Sequence, residues 1–263
     1  MKYPVLLDYD VSATDWDGPC ELVQCKKALH PTVLGDAKYS LNPYGGCEHG
    51  CIYCFAPGHT HTDISSWRVV RVKTNIVERL SKELDFTEGR IALGTVTDPY
   101  QAAEGRFRLS RMCLEVLQRK GRGVFITTKS DLVTRDCDIL KDMDATVAIT
   151  VTNPNDRICR MTEPGAPTTR ERLKAAKTLV DEGVDTIAFI APVMSSLESH
   201  EEELLQMIAD SGIRTVFVDQ FKPRGVTMDR MDRMGITSSE KAERRIHEVG
   251  RSMGFEMLPP RHF

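Results

Sequence analysis

The sequence predicts one large α/β domain built from six strand and helix units. Short apolar or β-branched runs recur between residues 39 and 221, and the segments between them repeat apolar residues at helical spacing. This alternation is typical of parallel βαβ units. Six units are too few for a closed eight-stranded barrel, and a chain of 263 residues is long enough for one such domain with a substantial core.

The predicted strands and helices follow each other in a simple order. The first strand leads into a cysteine-rich loop near residues 39–44, and the later strands are predicted at residues 90–98, 123–130, 145–152, 186–193 and 214–221. Helical spacing is carried by Val77, Leu80 and Leu84; Leu109, Met112 and Val116; Leu173, Ala176 and Val180; and Leu204 with Ile208. Thr168 or Thr169 is expected to start one helix, and a last helix is predicted at residues 238–253 with Ser238 or Ser239 as its cap.

Residues 1–37 show no clear period. We expect them to form an N-terminal extension that packs across the barrel or closes its bottom, ahead of a main domain over residues 38–263. Cys20 and Cys25 lie in this segment. They are interpreted as a redox pair, as ligands of a second cluster, or as ordinary buried or surface thiols.

Composition and charge are those of an ordinary soluble protein, with 41% hydrophobic and 28% charged residues. No apolar run approaches the length of a membrane span, and acidic residues interrupt the N-terminus where a signal peptide needs an apolar core. We therefore expect a cytoplasmic protein. A net charge of −3 gives no overall attraction to nucleic acid. The eight cysteines are too scattered to suggest disulfides and favour a reducing compartment.

The most informative stretch is YGGCEHGCIYCFAPGHT, residues 44–60, which sets Cys47, Cys51 and Cys54 in a C-x3-C-x2-C pattern. Thiolates are the usual protein ligands of iron–sulfur clusters, and three of them leave one iron of a four-iron cubane open for chemistry. The alternative is a structural zinc site, which needs four ligands, and His49 is the candidate for the fourth.

Polar residues close several of the predicted strands. They include Thr97 and Asp98 after the second strand, Lys129 after the third, and Thr150 with Thr152 at the end of the fourth. Active sites of parallel barrels lie at these carboxyl ends, so these groups are candidates for binding a cofactor or substrate. Each also has a plain structural interpretation: backbone capping for Thr97 and Asp98, an exposed loop lysine, and strand-forming threonines.

Two further polar groups lie beyond these strand ends. Glu163 and Arg172 are expected to form a buried ion pair or to contact a cofactor. Residues 219–224 are predicted to form a polar rim after the sixth strand that meets substrate or lines an adenine pocket.

C-x3-C-x2-C with an aromatic residue before the third cysteine, here Tyr53, resembles the signature of the radical S-adenosylmethionine (radical SAM) superfamily. The resemblance implies a [4Fe-4S] cluster on the three cysteines and SAM on its fourth iron. Reductive cleavage of SAM would then give a 5′-deoxyadenosyl radical that abstracts hydrogen from substrate. It also implies an open (β/α)6 partial TIM barrel and an electron donor such as ferredoxin or flavodoxin.

GCEHGCIYCFA, GTVTDPYQAAE, the residues from Thr128 to Asp136, and EPGAP with the following RL resemble the spore photoproduct lyase-like branch over residues 38–195. This resemblance implies SAM contacts from Tyr53, Lys129, Thr150 and Arg172, and the polar Thr97 and Glu163 join them as cofactor-binding candidates. The named enzyme of the branch reverses a thymine dimer with a cysteine near the end of its second strand. The corresponding run ALGTVTD has none, while Cys113 and Cys137 lie elsewhere.

The sequence thus predicts a radical SAM enzyme whose substrate is unidentified, with nucleic acid as the first candidate by analogy. The basic segments RVVRVK, residues 68–73, and GRFRLSR, residues 105–111, are candidate phosphate contacts, although such residues on helices are usually solvated. Modification of a protein, a peptide or a small molecule is the alternative chemistry. A non-catalytic zinc or iron–sulfur module that binds a partner is the alternative of another class.

Overall fold

The computed structural model describes residues 17–219 and 226–259, and its centre is a sheet of parallel strands. Strands of this chain form where β-branched and apolar residues concentrate, and most of them are short. The strands of the described residues are β1 (Cys20–Val23), β2 (Leu29–Pro31), β3 (Ala37–Leu41), β4 (Tyr44–Gly45), β5 (Val70–Lys73), β6 (Arg90–Leu93), β7 (Val124–Thr128), β8 (Ala145–Thr150), β9 (Asp185–Ile190), β10 (Thr215–Val218) and β11 (Glu256–Leu258).

The helices lie between these strands and cover the outer face of the sheet with their apolar sides. The described α-helices are α1 (Ala56–His59), α2 (Ile76–Glu83), α3 (Ala103–Phe107), α4 (Leu109–Arg119), α5 (Cys137–Leu140), α6 (Asp156–Thr162), α7 (Thr169–Asp181), α8 (Glu201–Asp210), α9 (Val226–Asp232) and α10 (Glu240–Ser252). Short 3-10 turns lie at Ile64–Ser66, Asp131–Asp136 and Ser195–Leu197.

The main sheet has eight strands in the order β11-β10-β9-β8-β7-β6-β3-β2. Strands β3, β6, β7, β8, β9 and β10 are successive parallel neighbours in chain order. Within the described residues the two end strands do not pair with each other, so the barrel stays open. The predicted α/β fold, an open (β/α)6 partial barrel, is confirmed.

The strand bounds differ from the predicted ones in a consistent way. Each of the later predicted strands ends earlier than its apolar run, because the last residues turn away to form the loops at the carboxyl ends. The first strand is β3, ending at Leu41, so the prediction near residues 39–44 was misplaced; Tyr44 belongs to the separate strand β4. The predicted rim at residues 219–224 lies outside the described residues from position 220 onward.

A second, three-stranded sheet with the order β1-β5-β4 was not predicted. Strand β5 corresponds to most of the basic segment RVVRVK, so its lysine and arginines are not on a helix. β1 and β2 come from the segment expected to be an extension, and β2 pairs antiparallel with β3 at the edge of the main sheet. No described helix is long and apolar enough to cross a membrane.

The burial of each strand in the main sheet depends on what packs against its two faces. All six residues of β8 are buried because both faces of this central strand are covered. In β7 the burial alternates, with Phe125 and Thr127 only half-buried on the inner face.

Candidate active site

The cysteine-rich loop begins directly after β4 and is tightly folded from its first residue. Gly46 has a φ of +76°, and a Cβ there would lie 2.7 Å from the carbonyl oxygen of Trp67. The amide of Cys47 donates to that same carbonyl at 2.9 Å. The Cys47 and Cys51 side chains are buried and that of Cys54 is half-buried. The loop thus holds its three thiols close to the protein interior.

The loop is held on one side by the segment that follows β8. The amide of Ile52 donates to the carbonyl of Thr162 at 2.9 Å, and the amide of Gly165 donates to the carbonyl of His49 at 2.9 Å. A Cβ on Gly165 would lie 2.3 Å from the carbonyl oxygen of Glu48. The end of α6 and the cysteine loop therefore pack backbone against backbone.

Gln101, which follows β6, holds the loop on the other side. Its side chain is fully buried, accepts from the amide of Glu48 at 3.0 Å and donates to the carbonyl of Gly46 at 3.2 Å. The carboxylate of Glu48 in turn accepts from the amide of Ala103 at 2.9 Å. Neither Gln101 nor Glu48 was among the predicted site residues, although Gln101 lies in the quoted run GTVTDPYQ.

Burial controls the protonation of the three thiols. It raises the pKa of Cys51 to about 12, and it also raises the pKa of Cys47 and Cys54. The free thiols are therefore protonated near neutral pH. Because metal ligands must be thiolates, loading of a cluster would release these protons.

A donor set of three cysteines fits an iron–sulfur cluster. Among the described residues, no group of three or more His, Cys, Asp and Glu side chains is arranged to hold one metal ion. In a cubane cluster each cysteine binds a different iron, so its ligands need not converge on one point. His49, the candidate fourth zinc ligand, is buried with its Nδ1 3.5 Å from the Asp98 carboxylate.

Tyr53, Glu163 and Arg172 form one buried network across the inner side of the loop. The Tyr53 hydroxyl and the Arg172 guanidinium both donate to the Glu163 carboxylate, and Thr152 donates to it at 3.2 Å. Arg172 is fully buried and also donates to the carbonyl of Thr150 at 3.1 Å. Of the two predicted possibilities for Glu163 and Arg172, the buried ion pair is present.

The charges in this network decide its pKa values. Burial alone would raise the pKa of Glu163, but the positive charges of Arg172 and Lys129 and the donated hydrogen bonds outweigh it and lower the pKa. Burial, together with the charges of Cys51 and Glu163, raises the pKa of Tyr53 well above its usual value. Tyr53 therefore stays protonated and donates to an ionised Glu163.

Asp98 organises the end of β7. Its carboxylate accepts from the Thr128 hydroxyl at 2.7 Å and from the amides of Lys129 and Tyr100 at 2.7 and 2.9 Å. The capping interpretation of Asp98 is thus the one observed. Asp98 holds the backbone amide of Lys129, and the Lys129 side chain extends toward Tyr53. Its Nζ lies 5.5 Å from the centroid of the Tyr53 ring.

Lys129 has no ion pair within the part of the chain that the structure describes. Burial alone would lower its pKa, but the negative charges of Glu163 and Asp98, joined by that of Cys51 when its thiol is ionised, outweigh this and raise the pKa. The ammonium is therefore charged and available to an anionic ligand.

Within the part of the chain that the structure describes, two buried threonine hydroxyls lack a hydrogen-bond partner. They are Oγ1 of Thr97, after β6, and Oγ1 of Thr150, the last residue of β8. An unpaired buried hydroxyl is costly, so each marks a place where a ligand or a water completes the hydrogen bonding. Both lie at carboxyl ends of the parallel strands, where the polar candidates were expected.

The sequence model of the radical SAM superfamily matches residues 41–208, more than half of the chain. The chain belongs to the radical SAM superfamily. It is also similar to an uncharacterized protein of Mycobacterium tuberculosis, with 34% identity over 236 residues that cover 82% of this chain and 69% of that protein. An uncharacterized protein of Methanocaldococcus jannaschii is 33% identical over 180 residues, covering 66% of this chain and 68% of that protein.

Solved structures similar to this radical SAM enzyme include spore photoproduct lyase. A cysteine-to-serine variant of that lyase gives a TM-score of 0.72 at 14% identity, covering 90% of this chain and 81% of the lyase. A second lyase variant, with bound AdoMet and dinucleoside spore photoproduct, gives 0.71 at 15% identity over the same coverage. At this identity the similarity concerns the fold, and it confirms the resemblance to the spore photoproduct lyase-like branch at that level.

The remaining cysteines of this radical SAM enzyme lie outside the strands of the main sheet. Cys113 is buried in α4, Cys137 begins α5 and Cys159 is buried in α6. Cys20 is exposed on β1, and Cys25 is half-buried beyond it. The loop directly after β6, residues 94–102, contains no cysteine.

The two basic segments are largely engaged within the protein. Arg71 donates to Thr62 at 3.3 Å and Lys73 donates to the carbonyl of Asn42 at 2.7 Å. Arg111 forms ion pairs with Asp136 and Asp138, among others. Arg68 is the exposed member of the first segment. These segments therefore offer less free positive charge than the sequence indicates.

Proposed function

We propose that this radical SAM enzyme holds a [4Fe-4S] cluster on Cys47, Cys51 and Cys54 and uses it to cleave SAM reductively. The bound cluster and SAM together supply an electron and a 5′-deoxyadenosyl radical that abstracts hydrogen from substrate. The observation that carries the proposal is the three-thiol loop at the carboxyl ends of the strands, where Thr97 after β6 and Thr150 of β8 have hydroxyls without a described partner and Lys129 after β7 lies over Tyr53.

The residues around the loop fit SAM in both charge and hydrogen bonding. Lys129 provides a charged ammonium for the SAM carboxylate. Thr97 and Thr150 provide unpaired hydroxyls for polar parts of the cofactor. Glu163 and Arg172, already paired with each other, fix the position of the Tyr53 side chain within the loop. We assign this pair a positioning role, and Tyr53 a place against the cofactor.

For the substrate we propose nucleic acid as the class to test first. Solved structures of similar fold include spore photoproduct lyase with bound dinucleoside spore photoproduct, which supports the choice. A peptide is the second candidate, because anSMEcpe with bound AdoMet and a Kp18Cys peptide has a similar fold at a TM-score of 0.50. The missing cysteine after β6 argues against dimer reversal by the mechanism of the named lyase.

Anaerobic reconstitution tests the cofactor assignment. We expect about four irons and four sulfides per chain, a brown chromophore, and formation of 5′-deoxyadenosine from SAM under dithionite. Cys51→Ala is expected to abolish deoxyadenosine formation. Cys20→Ala, which removes an exposed thiol on β1, is expected to leave it unchanged. Zinc alone in the wild-type protein, or deoxyadenosine formation by Cys51→Ala, would contradict the proposal.

The substrate class is tested by isotope transfer. Deuterated pools of nucleic acid, peptide and small metabolites are offered separately to the reconstituted enzyme with SAM and reductant. The pool that contains the substrate is expected to stimulate deoxyadenosine formation and to pass deuterium into it. Transfer from the peptide pool but not from nucleic acid would overturn our choice of substrate class while leaving the cofactor proposal intact.

A further inference from the structure

Trp67 is a large aromatic side chain that packs in one apolar cluster with part of the cysteine loop. It is only 3% exposed and forms a small apolar cluster with Cys47 and Ala56, against which Cys54 and Val96 pack. Its carbonyl accepts from the amide of Cys47 at 2.9 Å. Two of the three thiols therefore pack in the same cluster as this indole.

The indole nitrogen of Trp67 is buried and has no hydrogen-bond partner among residues 17–219 and 226–259. Nε1–H is a donor only, and buried tryptophan nitrogens usually find an acceptor. Leaving such a donor unpaired costs the full desolvation penalty of the group. Trp67 shares its apolar cluster with Cys47, so a group bound to that thiol would lie near the indole.

Protein side chains offer few acceptors in this region. Ala56 and Val96 have no polar side-chain atoms, the carbonyl of Gly46 accepts from Gln101, and the carbonyl of Trp67 itself accepts from the amide of Cys47. The thiols themselves are the nearest sulfur atoms in the cluster of packed side chains. Once these thiols bind a cluster, its sulfurs become strong acceptors for nearby N–H donors.

We propose that Nε1–H of Trp67 donates a hydrogen bond to a sulfur of the cluster, either an inorganic sulfide or a cysteine thiolate. This inference rests on the proposed function, because it requires the cluster on Cys47, Cys51 and Cys54. Hydrogen bonds to sulfur are one of the factors that set the reduction potential of such clusters. Trp67 is thus a positioning and tuning residue rather than a catalytic one.

The direction of the effect follows from charge. Reduction adds one negative charge to the cluster, so a hydrogen-bond donor stabilises the reduced form more than the oxidised form. Removal of the donor therefore makes the cluster harder to reduce. We expect Trp67→Phe to lower the ratio of reduced to oxidised cluster at a fixed potential by about tenfold, which corresponds to about 59 mV for a one-electron couple.

The direct test detects the hydrogen bond in a protein that keeps Trp67. The sequence has two tryptophans, so ¹⁵N-indole labelling in a Trp16→Phe background labels Trp67 alone. After anaerobic reconstitution and reduction, we expect electron–nuclear double resonance to show ¹⁵N coupling to the cluster, and coupling from an exchangeable proton that disappears in D₂O. This measurement does not depend on whether Trp67→Phe folds.

Potentiometric titration of Trp67→Phe is the second test, with Val96→Ala as the control. Val96→Ala removes volume from the same apolar cluster without removing a donor, so its potential is expected to stay at the wild-type value. A cluster that forms and cleaves SAM in the wild type, but shows no ¹⁵N coupling and no change of potential in Trp67→Phe, would overturn this inference alone. Failure of the wild type to form a cluster would instead refute the proposed function.

Discussion

At the scale of single residues, the site is built from groups that are buried in two different ways. The buried charges of the Glu163–Arg172 pair are hydrogen-bonded within the protein. Arg172 alone donates to three separate acceptors. A buried ion pair of this kind contributes little net stability, but removal of one partner leaves an uncompensated charge. Thr150, by contrast, has a buried hydroxyl with no partner among the described residues.

This contrast predicts opposite outcomes for two neighbouring threonines. Thr150→Val replaces an unpaired hydroxyl by a methyl group of similar size, so the unfolding free energy of the cluster-free protein is expected to stay the same or rise. The same substitution is expected to weaken SAM binding to the reconstituted protein about five- to tenfold, roughly 1 kcal/mol, by removing one hydrogen bond. Urea unfolding and calorimetric titration with SAM measure the two effects.

Thr152→Val is the matched control, because the Thr152 hydroxyl already donates to Glu163 at 3.2 Å. Loss of a hydrogen bond to a charged group is expected to lower the unfolding free energy by about 1.5–3 kcal/mol. The assignment of Thr150 to SAM would be wrong if Thr150→Val destabilised the protein and left the SAM affinity unchanged.

At the scale of secondary structure elements, the sequence predicted what local patterns control. The five core strands from β6 to β10 were found because their apolar runs are continuous, and the start of α7 was found because Thr168 and Glu171 form a capping box. Strand β5 was missed, although its burial alternates with period two, because VRVK was interpreted from its charges. β1 and β2 are short edge strands, whose pairing depends on distant parts of the chain.

The candidate site could be predicted only in part, because some of its contacts join residues that are distant in the sequence. The three cysteines lie within eight residues of each other in the sequence, so their spacing is visible before folding. Tyr53 and Glu163 are separated by 110 positions and meet only through the fold. The unpaired nitrogen of Trp67 is visible only when its neighbours are known.

The backbone contact between the cysteine loop and the segment after α6 leads to a prediction about Gly165. An alanine Cβ there would lie 2.3 Å from the carbonyl oxygen of Glu48, so the two segments must move apart. Gly165→Ala is expected to lower the unfolding free energy by about 1–3 kcal/mol and to reduce the iron and sulfide bound after reconstitution. Thermal unfolding and metal analysis provide the measurements.

Gly105→Ala is the control for this substitution. Gly105 lies in α3, a Cβ there would meet nothing within 4 Å, and neither glycine has a positive φ. Alanine is expected to leave iron content unchanged and to stabilise α3 by up to about 1 kcal/mol. Equal iron loading by the two variants would show that contact with Gly165 does not shape the cysteine loop.

At the scale of the whole molecule, both sheets and the N-terminal segment contribute to one continuous core. Ala28 and Leu29 lie in the same buried cluster as Val70 and Val72 of the small sheet and Ile91 of the main sheet. The amides of Ala28 and Leu29 also donate to the carboxylate of Glu83 at 2.9 and 2.8 Å. These contacts attach the segment before residue 38 to the end of α2 and to the edge of the barrel.

Substitutions at two leucines of this segment therefore test whether it folds together with the barrel. Leu29 is 4% exposed in the core, whereas Leu22 is 64% exposed on β1. Leu29→Ala is expected to lower the unfolding free energy of the whole domain by about 2–5 kcal/mol, because it opens a cavity between the edge strand and the core. Leu22→Ala is expected to change it by less than about 0.5 kcal/mol. Urea unfolding followed by far-ultraviolet circular dichroism measures both changes. If Leu29→Ala showed a separate early transition while the midpoint of the main transition stayed the same, the residues before position 38 would fold independently of the barrel.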